Sequence, residues 1–208
     1  MTQSDPAAGT IVRRMPVQKR SRERFELILD AAVALISEKG VDQLKMNDIV
    51  ERTGVKHGSL YQYFPEKRAV IATLLDVYNR QGHDCVRLAL EPVKTEADLF
   101  RALTRILDEY FEMFSTHPVM GDLIGATRAD PELQKLEEAD IRILSGILAD
   151  AMRRAGVAGR NGSAETTAMM LMDLIAAVVC RAVCQPQEEA EQTVSQFKQL
   201  LAGGLANL

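Results

Sequence analysis

A chain of 208 residues, 47% hydrophobic and 26% charged, is long enough to bury a substantial core as one large helical domain or two smaller ones. It has no run near the roughly 18 uncharged apolar residues of a membrane span, no apolar h-region for secretion, and three irregularly spaced cysteines that make no disulfide framework, so a reducing cytoplasm and no membrane partner are expected. The formal net charge of −4 argues against a nucleic-acid binder only if charge is spread evenly, and it is not.

Residues 1–67 hold 11 Lys and Arg against 9 Asp and Glu, whereas residues 68–208 hold 14 against 20. The basic excess is sharpest at Arg13-Arg14 and from Lys19 to Arg24. A cationic end on an acidic body suits a protein that presents one end to a polyanion. Within that end, residues 1–20 read as a disordered basic arm, because Pro6, Gly9, Pro16 and sparse apolar residues give no periodicity.

Helical spacing begins with Phe25, Ile28, Leu29, Ala32, Leu35 and Ile36. Ser21 as N-cap and Gly40 as stop bracket a helix near 22–39. "MNDIVERT", ended by Gly54, and "HGSLYQYF", broken by Pro65, make two short helices. A long helix runs from about Glu66 toward Pro92, with Val70, Ile71, Leu74, Leu75 and Tyr78 on one side. "EADLFRALTRILDEYFEMFSTH" ends at Pro118, and a short helix covers Val119 to about Thr127. Asp130 caps a helix that starts with Pro131 and reaches about Ala155. After the loop "GVAGRNGS", Ser163 caps an apolar helix to about Cys184, and a last helix fills 187–202. No alternating strand pattern occurs, so the chain reads as all-α with about nine helices.

Two short helices joined through a glycine turn make a helix-turn-helix, whose second helix enters the DNA major groove. Ile49, Val50 and Leu60 are spaced to pack the pair, and Gly54 supplies the left-handed angle. Leu60 and Phe64 face inward. His57, Ser59, Gln62 and Tyr63 face outward, and Gly58 lets a backbone approach. The stretch "DIVERTGVKHGSLYQYFPEKRAVI" resembles the DNA-binding signature of the TetR family of bacterial transcriptional regulators: Asp-Ile-Ala, then Ala-Gly-Val, then Gly-Thr/Ser-Leu-Tyr, a polar residue, an aromatic or His, Phe, and a Lys shortly after. The likeness covers about residues 22–75. Two positions depart from it: Lys45 stands where a Thr or Ser cap is usual, and Val50 replaces a small Ala.

The resemblance implies a role for each matching position. His57, Gly58, Ser59 and Gln62 fall where base edges are met, and Asn47 is a base contact in some family members. Lys45, Tyr61, Tyr63 and Lys67 fall at phosphate contacts, with Lys56 beside His57. The chemistry agrees, since His and Gln donate and accept in the groove while Lys and Tyr suit phosphate oxygens. Tyr61 reads equally well as a core ring with an exposed hydroxyl, and Lys45 as an ordinary surface lysine.

One helix-turn-helix binds weakly, so a homodimer on two half-sites follows. The two last helices are the expected interface, as in the family, through Leu171, Leu174, Val178, Phe197, Leu200 and Leu201. The same residues also suit a monomer core, on other faces. A pocket in the middle helices is expected around Phe100, Leu103, Leu107, Tyr110, Phe111, Phe114, Met120, Met169 and Met172, with Met113 and Met170 nearby. Such stripes are more often core than ligand site. Asp108, His117, Arg128 and Asp173 are polar candidates. Cys180 and Cys184, one turn apart, and His83 with Cys85 read better as buried packing than as redox or metal pairs. No nucleophile–base pair, phosphate loop or His-Glu metal spacing occurs, so no enzyme, cofactor or metal is expected.

The expected organisation is an arm (1–20), a helix-turn-helix domain (21–67) and an effector-binding and dimerisation domain (68–208). The expected function is a bacterial cytoplasmic repressor, on the nucleoid when DNA-bound. A small apolar or amphipathic effector releases it from a palindromic double-stranded operator. A DNA-binding regulator that answers a protein partner is the alternative. A third reading, a ligand-binding or enzymatic protein with a vestigial helix-turn-helix, is opposed by the basic outward face from His57 to Lys67.

Overall fold

A computed structural model describes residues 11–157 and 163–205 and contains helices but no strand among them. The helices are α1 (Lys19–Lys39), α2 (Met46–Thr53), α3 (His57–Tyr63), α4 (Lys67–Leu90), α5 (Glu96–Thr116), α6 (Val119–Thr127), α7 (Pro131–Arg154), α8 (Ala164–Ala182) and α9 (Gln187–Leu205). Local chemistry explains most ends. Phe64 is extended (φ −132°, ψ 101°) because a following proline disfavours helical angles. Asp130 Oδ1 accepts the Glu132 and Leu133 N–H groups at 2.9 and 3.4 Å, opening α7. Thr95 and Asp98 cap α5 reciprocally: Thr95 Oγ1 accepts the Asp98 N–H at 3.1 Å, and the carboxylate accepts the Thr95 N–H at 2.9 Å. Ser163 caps α8 by accepting the Thr166 N–H at 3.4 Å.

The start of α1 differs from the sequence pattern. Gln18, not Ser21, takes the extended cap conformation, and the N–H groups of Ser21 and Arg22 bond its carbonyl at 3.0 and 2.9 Å. Ser21 is left inside the first turn with its hydroxyl free for another partner. The expected disordered arm also needs correction over its described part. Ile11 and Val12 pack against the core, and the Arg13 N–H donates to Thr73 Oγ1 at 3.0 Å. Residues 1–10 of that arm, and 158–162 of the expected loop, lie outside the described residues.

Residues 11–79 with 118–137 form one compact unit, and residues 80–117 with 138–205 a second. The expected boundary after residue 67 falls earlier than the packing does. Val70, Ile71, Leu74 and Leu75 of α4 join the core of the first unit, as do Val119, Leu123 and Leu133. At its centre Phe25 lies 5.0 Å, centroid to centroid, from Phe64 and 6.1 Å, edge on, from Tyr63. Truncating a buried Phe in such a site costs about 3–5 kcal/mol.

In the second unit α5, α8 and α9 pack together through Leu99, Leu103, Ile106, Leu107, Ile175, Val179 and Val194, all buried. Arg154 donates to the Leu90 carbonyl at 2.7 Å, fastening α7 to the end of α4. Two polar side-chain pairs lie inside this unit. His83 Nε2 lies 2.5 Å from Asp140 Oδ1, and the Cys85 thiol donates to Glu109 Oε2 at 2.6 Å. Burial, then that hydrogen bond, pushes the Cys85 thiol up to about 12. Burial also raises the Tyr110 phenol. For Glu109, burial works upward, but the bonds from Cys85 and Arg105 outweigh it and hold the carboxyl low.

Candidate nucleic-acid interface

The turn between α2 and α3 is built by Gly54 at φ 67°, ψ 10°, with its N–H bonded to the Val50 carbonyl at 2.9 Å. A side chain at this left-handed angle is strained. Ile49 and Leu60 are fully buried and Val50 partly so, which sets α3 against α2. With Leu60 and Phe64 turned inward, α3 leaves Lys56, His57, Gly58, Tyr61 and Gln62 exposed and Ser59 half-buried. Lys45 and Asn47 are exposed at the start of α2. These eight expected residues therefore stand at the surface of one motif. Tyr61 is exposed rather than core.

Two expected phosphate contacts also bond within the protein. The Tyr63 ring is half-buried against Phe25, and its hydroxyl lies 2.7 Å from Ser21 Oγ. Lys67 Nζ donates to the carbonyls of Val41 and Asp42 at 3.3 and 3.2 Å. It holds the α1–α2 turn instead of standing free.

The cations of the motif fall into two sets. Lys39 pairs with Asp48, and Arg52 grips Glu38 through two bonds at 2.7 and 2.6 Å, fastening α1 to α2. Lys39 first, and then its charge, hold Asp48 low, and Arg52 does the same for Glu38. Lys45, Lys56, Arg20 and Arg24 have no ion-pair partner among the described residues. Lys45 cannot act as the usual hydroxyl cap, because an ammonium only donates. Its backbone N–H instead reaches Asp48 Oδ2 at 3.3 Å. Arg24, not among the residues expected to meet DNA, donates from Nη1 to Ser59 Oγ at 3.4 Å. Its place in the "KRSRER" run was the available signal.

The other expected sites divide. Leu103, Leu107, Phe114 and Met172 are buried in the second unit, and Phe100, Tyr110 and Phe111 are half-buried there. Met120 belongs to the first unit, and Met169 lies on the outside of α8. Of the interface residues, Leu171, Phe197 and Leu201 pack inside their own unit, Val178 is half-buried, and Leu174 and Leu200 are exposed. No group of three or more His, Cys, Asp or Glu among the described residues is placed to hold a metal ion. No helix among them is long and apolar enough to cross a membrane.

Two family descriptions match the chain. "Bacterial regulatory proteins, tetR family" covers residues 28–74, and "Tetracyclin repressor-like, C-terminal domain" covers residues 97–208. The chain belongs to the TetR family. This TetR-family protein is a DNA-binding transcriptional regulator. It is 28% identical over 197 residues to the HTH-type transcriptional regulator BetI of Cronobacter sakazakii, covering 90% of this chain and 93% of that protein. It is 31% identical over 99 residues to the uncharacterized HTH-type transcriptional regulator YvdT of Bacillus subtilis, which covers 48% of this chain and half (50%) of that relative's length. The transcriptional regulator FadR from Bacillus subtilis, solved in complex with stearoyl-CoA, superposes with a TM-score of 0.67 over 85% of this chain and 97% of its own, at 19% identity. At that identity the likeness is one of fold.

Proposed function

We propose that this TetR-family regulator is a dimeric repressor that leaves a palindromic operator when a small apolar or amphipathic molecule binds in the second unit. One observation carries the dimer. α8 exposes Met170 and Leu174 one turn apart at 50% and 42%, with Met169 beside them, and α9 exposes Leu200 at 71%. An apolar stripe of this kind is stable when covered, and a second copy provides the cover. Two copies supply two α3 helices for two half-sites. In each, His57, Ser59, Gln62 and Asn47 meet base edges, Gly58 admits a close approach, and Lys45, Lys56, Tyr61 and Tyr63 take phosphates.

The apolar interior around Leu103, Leu107, Phe114 and Met172 supports an apolar effector. So does the stearoyl-CoA bound by FadR, a protein of the same fold. α4 and α7 each run from one unit into the other, so an effector bound in the second unit acts along continuous helices. It shifts DNA affinity only by as much as it prefers the DNA-free state.

The test begins by selecting double-stranded sites from random DNA with the full chain. A palindromic site carrying two copies is expected, with release by stearoyl-CoA and not by coenzyme A alone. His57→Ala or Gln62→Ala is expected to cost about 1–3 kcal/mol on that site and relax preference at one position. Equal losses on selected and random DNA would remove these residues from base reading. A selected complex that no acyl-CoA chain length disturbs would favour the protein-partner alternative.

A further inference from the structure

Beyond its packing and its ion pairs to α2, α1 meets the reading helix twice through polar atoms. Ser21 Oγ lies 2.7 Å from the Tyr63 hydroxyl. Nearly one turn later Arg24 Nη1 donates to Ser59 Oγ at 3.4 Å. Ser59 and Tyr63 are themselves one turn apart on α3, so the two contacts form a short antiparallel seam. Behind it, Phe25 packs on both Tyr63 and Phe64. Arg20 stands one turn before Arg24 on the same face of α1. Both arginines are exposed and without an ion-pair partner among the described residues, whereas the nearby Glu23 is spoken for by Lys19 at 4.0 Å. Glu26 is the remaining acid of this stretch, and it too is exposed.

We propose that α1 is a third element of the DNA interface. Arg20 and Arg24 take phosphodiester oxygens beside the groove that α3 enters, and Ser21 and Arg24 set the direction in which the Tyr63 and Ser59 hydroxyls donate. The proposal rests on α3 being the reading helix. A guanidinium presents five N–H groups in a fork that suits phosphate oxygens, and Arg24 spends one of them on Ser59. Because Ser59 Oγ accepts that bond with one of its two lone pairs, its own proton is left to point at a base acceptor: purine N7, guanine O6 or thymine O4. A phosphate offers only acceptors, so Tyr63 donates to it and Ser21 donates to Tyr63. The occupant is the backbone of double-stranded DNA. It is argued from unpaired positive charge continuous, through Ser59, with the exposed face of α3.

The test uses the full chain and the double-stranded site that it selects from random DNA, over a series of salt concentrations. Arg20→Gln and Arg24→Gln are each expected to lower the slope of log affinity on log salt by about 0.9, the value of one lost phosphate contact. Arg20→Gln weakens selected and random DNA alike at low salt, whereas Arg24→Gln weakens selected DNA more. Arg24→Lys keeps the slope but relaxes base preference at the position that Ser59 meets. Ser21→Ala weakens binding severalfold without changing the slope, and Ser21→Thr restores it. A merely structural role for α1 would move melting temperature and leave slope and base preference alone. Unchanged slopes in both glutamine variants, with wild-type selection intact and Gln62→Ala still defective, overturn this proposal alone. A wild-type chain that selects no sequence overturns the reading-helix assignment, and this proposal with it.

Discussion

Arg68 Nε donates to Asp130 Oδ2 at 2.6 Å, joining the first turn of α4 to the residue that caps α7. The carboxylate is fully used, since its other oxygen accepts the Glu132 and Leu133 N–H groups. Partial burial acts to raise the Asp130 carboxyl, but those backbone bonds, and then Arg68, outweigh it and hold it below the usual range. Asp130→Ala should therefore cost about 1–2 kcal/mol of stability, most of it the lost cap. Asp130→Asn, which can still cap, should cost less. Urea melts of the two variants check this. Equal losses would transfer the effect from the cap to the ion pair.

Lys67 gives a sharper contrast. Its bonds to the Val41 and Asp42 carbonyls predict that Lys67→Ala lowers stability by about 1 kcal/mol and leaves the salt dependence of DNA binding unchanged. The family resemblance alone predicts the reverse, a slope reduced by roughly one with stability kept. A thermal melt and a salt titration on one preparation decide between them.

The proposed dimer depends on Leu174 and Leu200, the exposed apolar residues of the expected interface. Leu174→Asp with Leu200→Asp should give a folded monomer by light scattering, with loss of operator binding. Leu171→Asp, by contrast, should unfold the unit, because Leu171 is buried. A double aspartate variant that remains dimeric would place the interface elsewhere.

The cysteines differ in exposure: Cys184 is exposed and Cys85 half-buried. With the Cys85 thiol pushed up to about 12, native protein at neutral pH should be alkylated first at Cys184, and Cys184→Ser should remove the fast phase. The sign of the linked stability change follows from the raised value. Below the ordinary thiol value of 9.0 the group is protonated whether the chain is folded or not. Between 9.0 and about 12 only the unfolded chain loses the proton, so stability falls as pH rises through that window. After screening, the loss at pH 10 is at most about 1 kcal/mol, and Cys85→Ala should abolish it in melts at pH 8 and pH 10.

Gly82 and Tyr110 form a steric pair. A Cβ on Gly82 would lie 2.8 Å from the Tyr110 hydroxyl oxygen. Gly82→Ala should destabilise by about 1 kcal/mol or more, and Tyr110→Phe, by removing that oxygen, should recover much of the loss. Additive single-variant losses in this double-mutant cycle would mean that the alanine is accommodated without touching Tyr110.

The sequence by itself determined the helices and the reading motif. Helical periodicity, prolines and capping residues act within a few residues of each other, so α2, the caps at Asp130 and Ser163, and the turn at Gly54 are legible from local pattern. The exposed face of α3 follows from Leu60 and Phe64 pointing the other way. Contacts between residues far apart in the chain were decided only by the tertiary structure. Ser21 was a plausible cap by type, yet Tyr63, 42 residues away, takes its hydroxyl. Lys67 looked free until packing set two carbonyls of the α1–α2 turn within its reach. Leu171, Phe197 and Leu201 are as apolar as Leu174 and Leu200, and only the packing of α8 on α9 and α5 settles which of them face inward. Residue type states what a side chain can bond or bury, and long-range packing chooses which of those options is used.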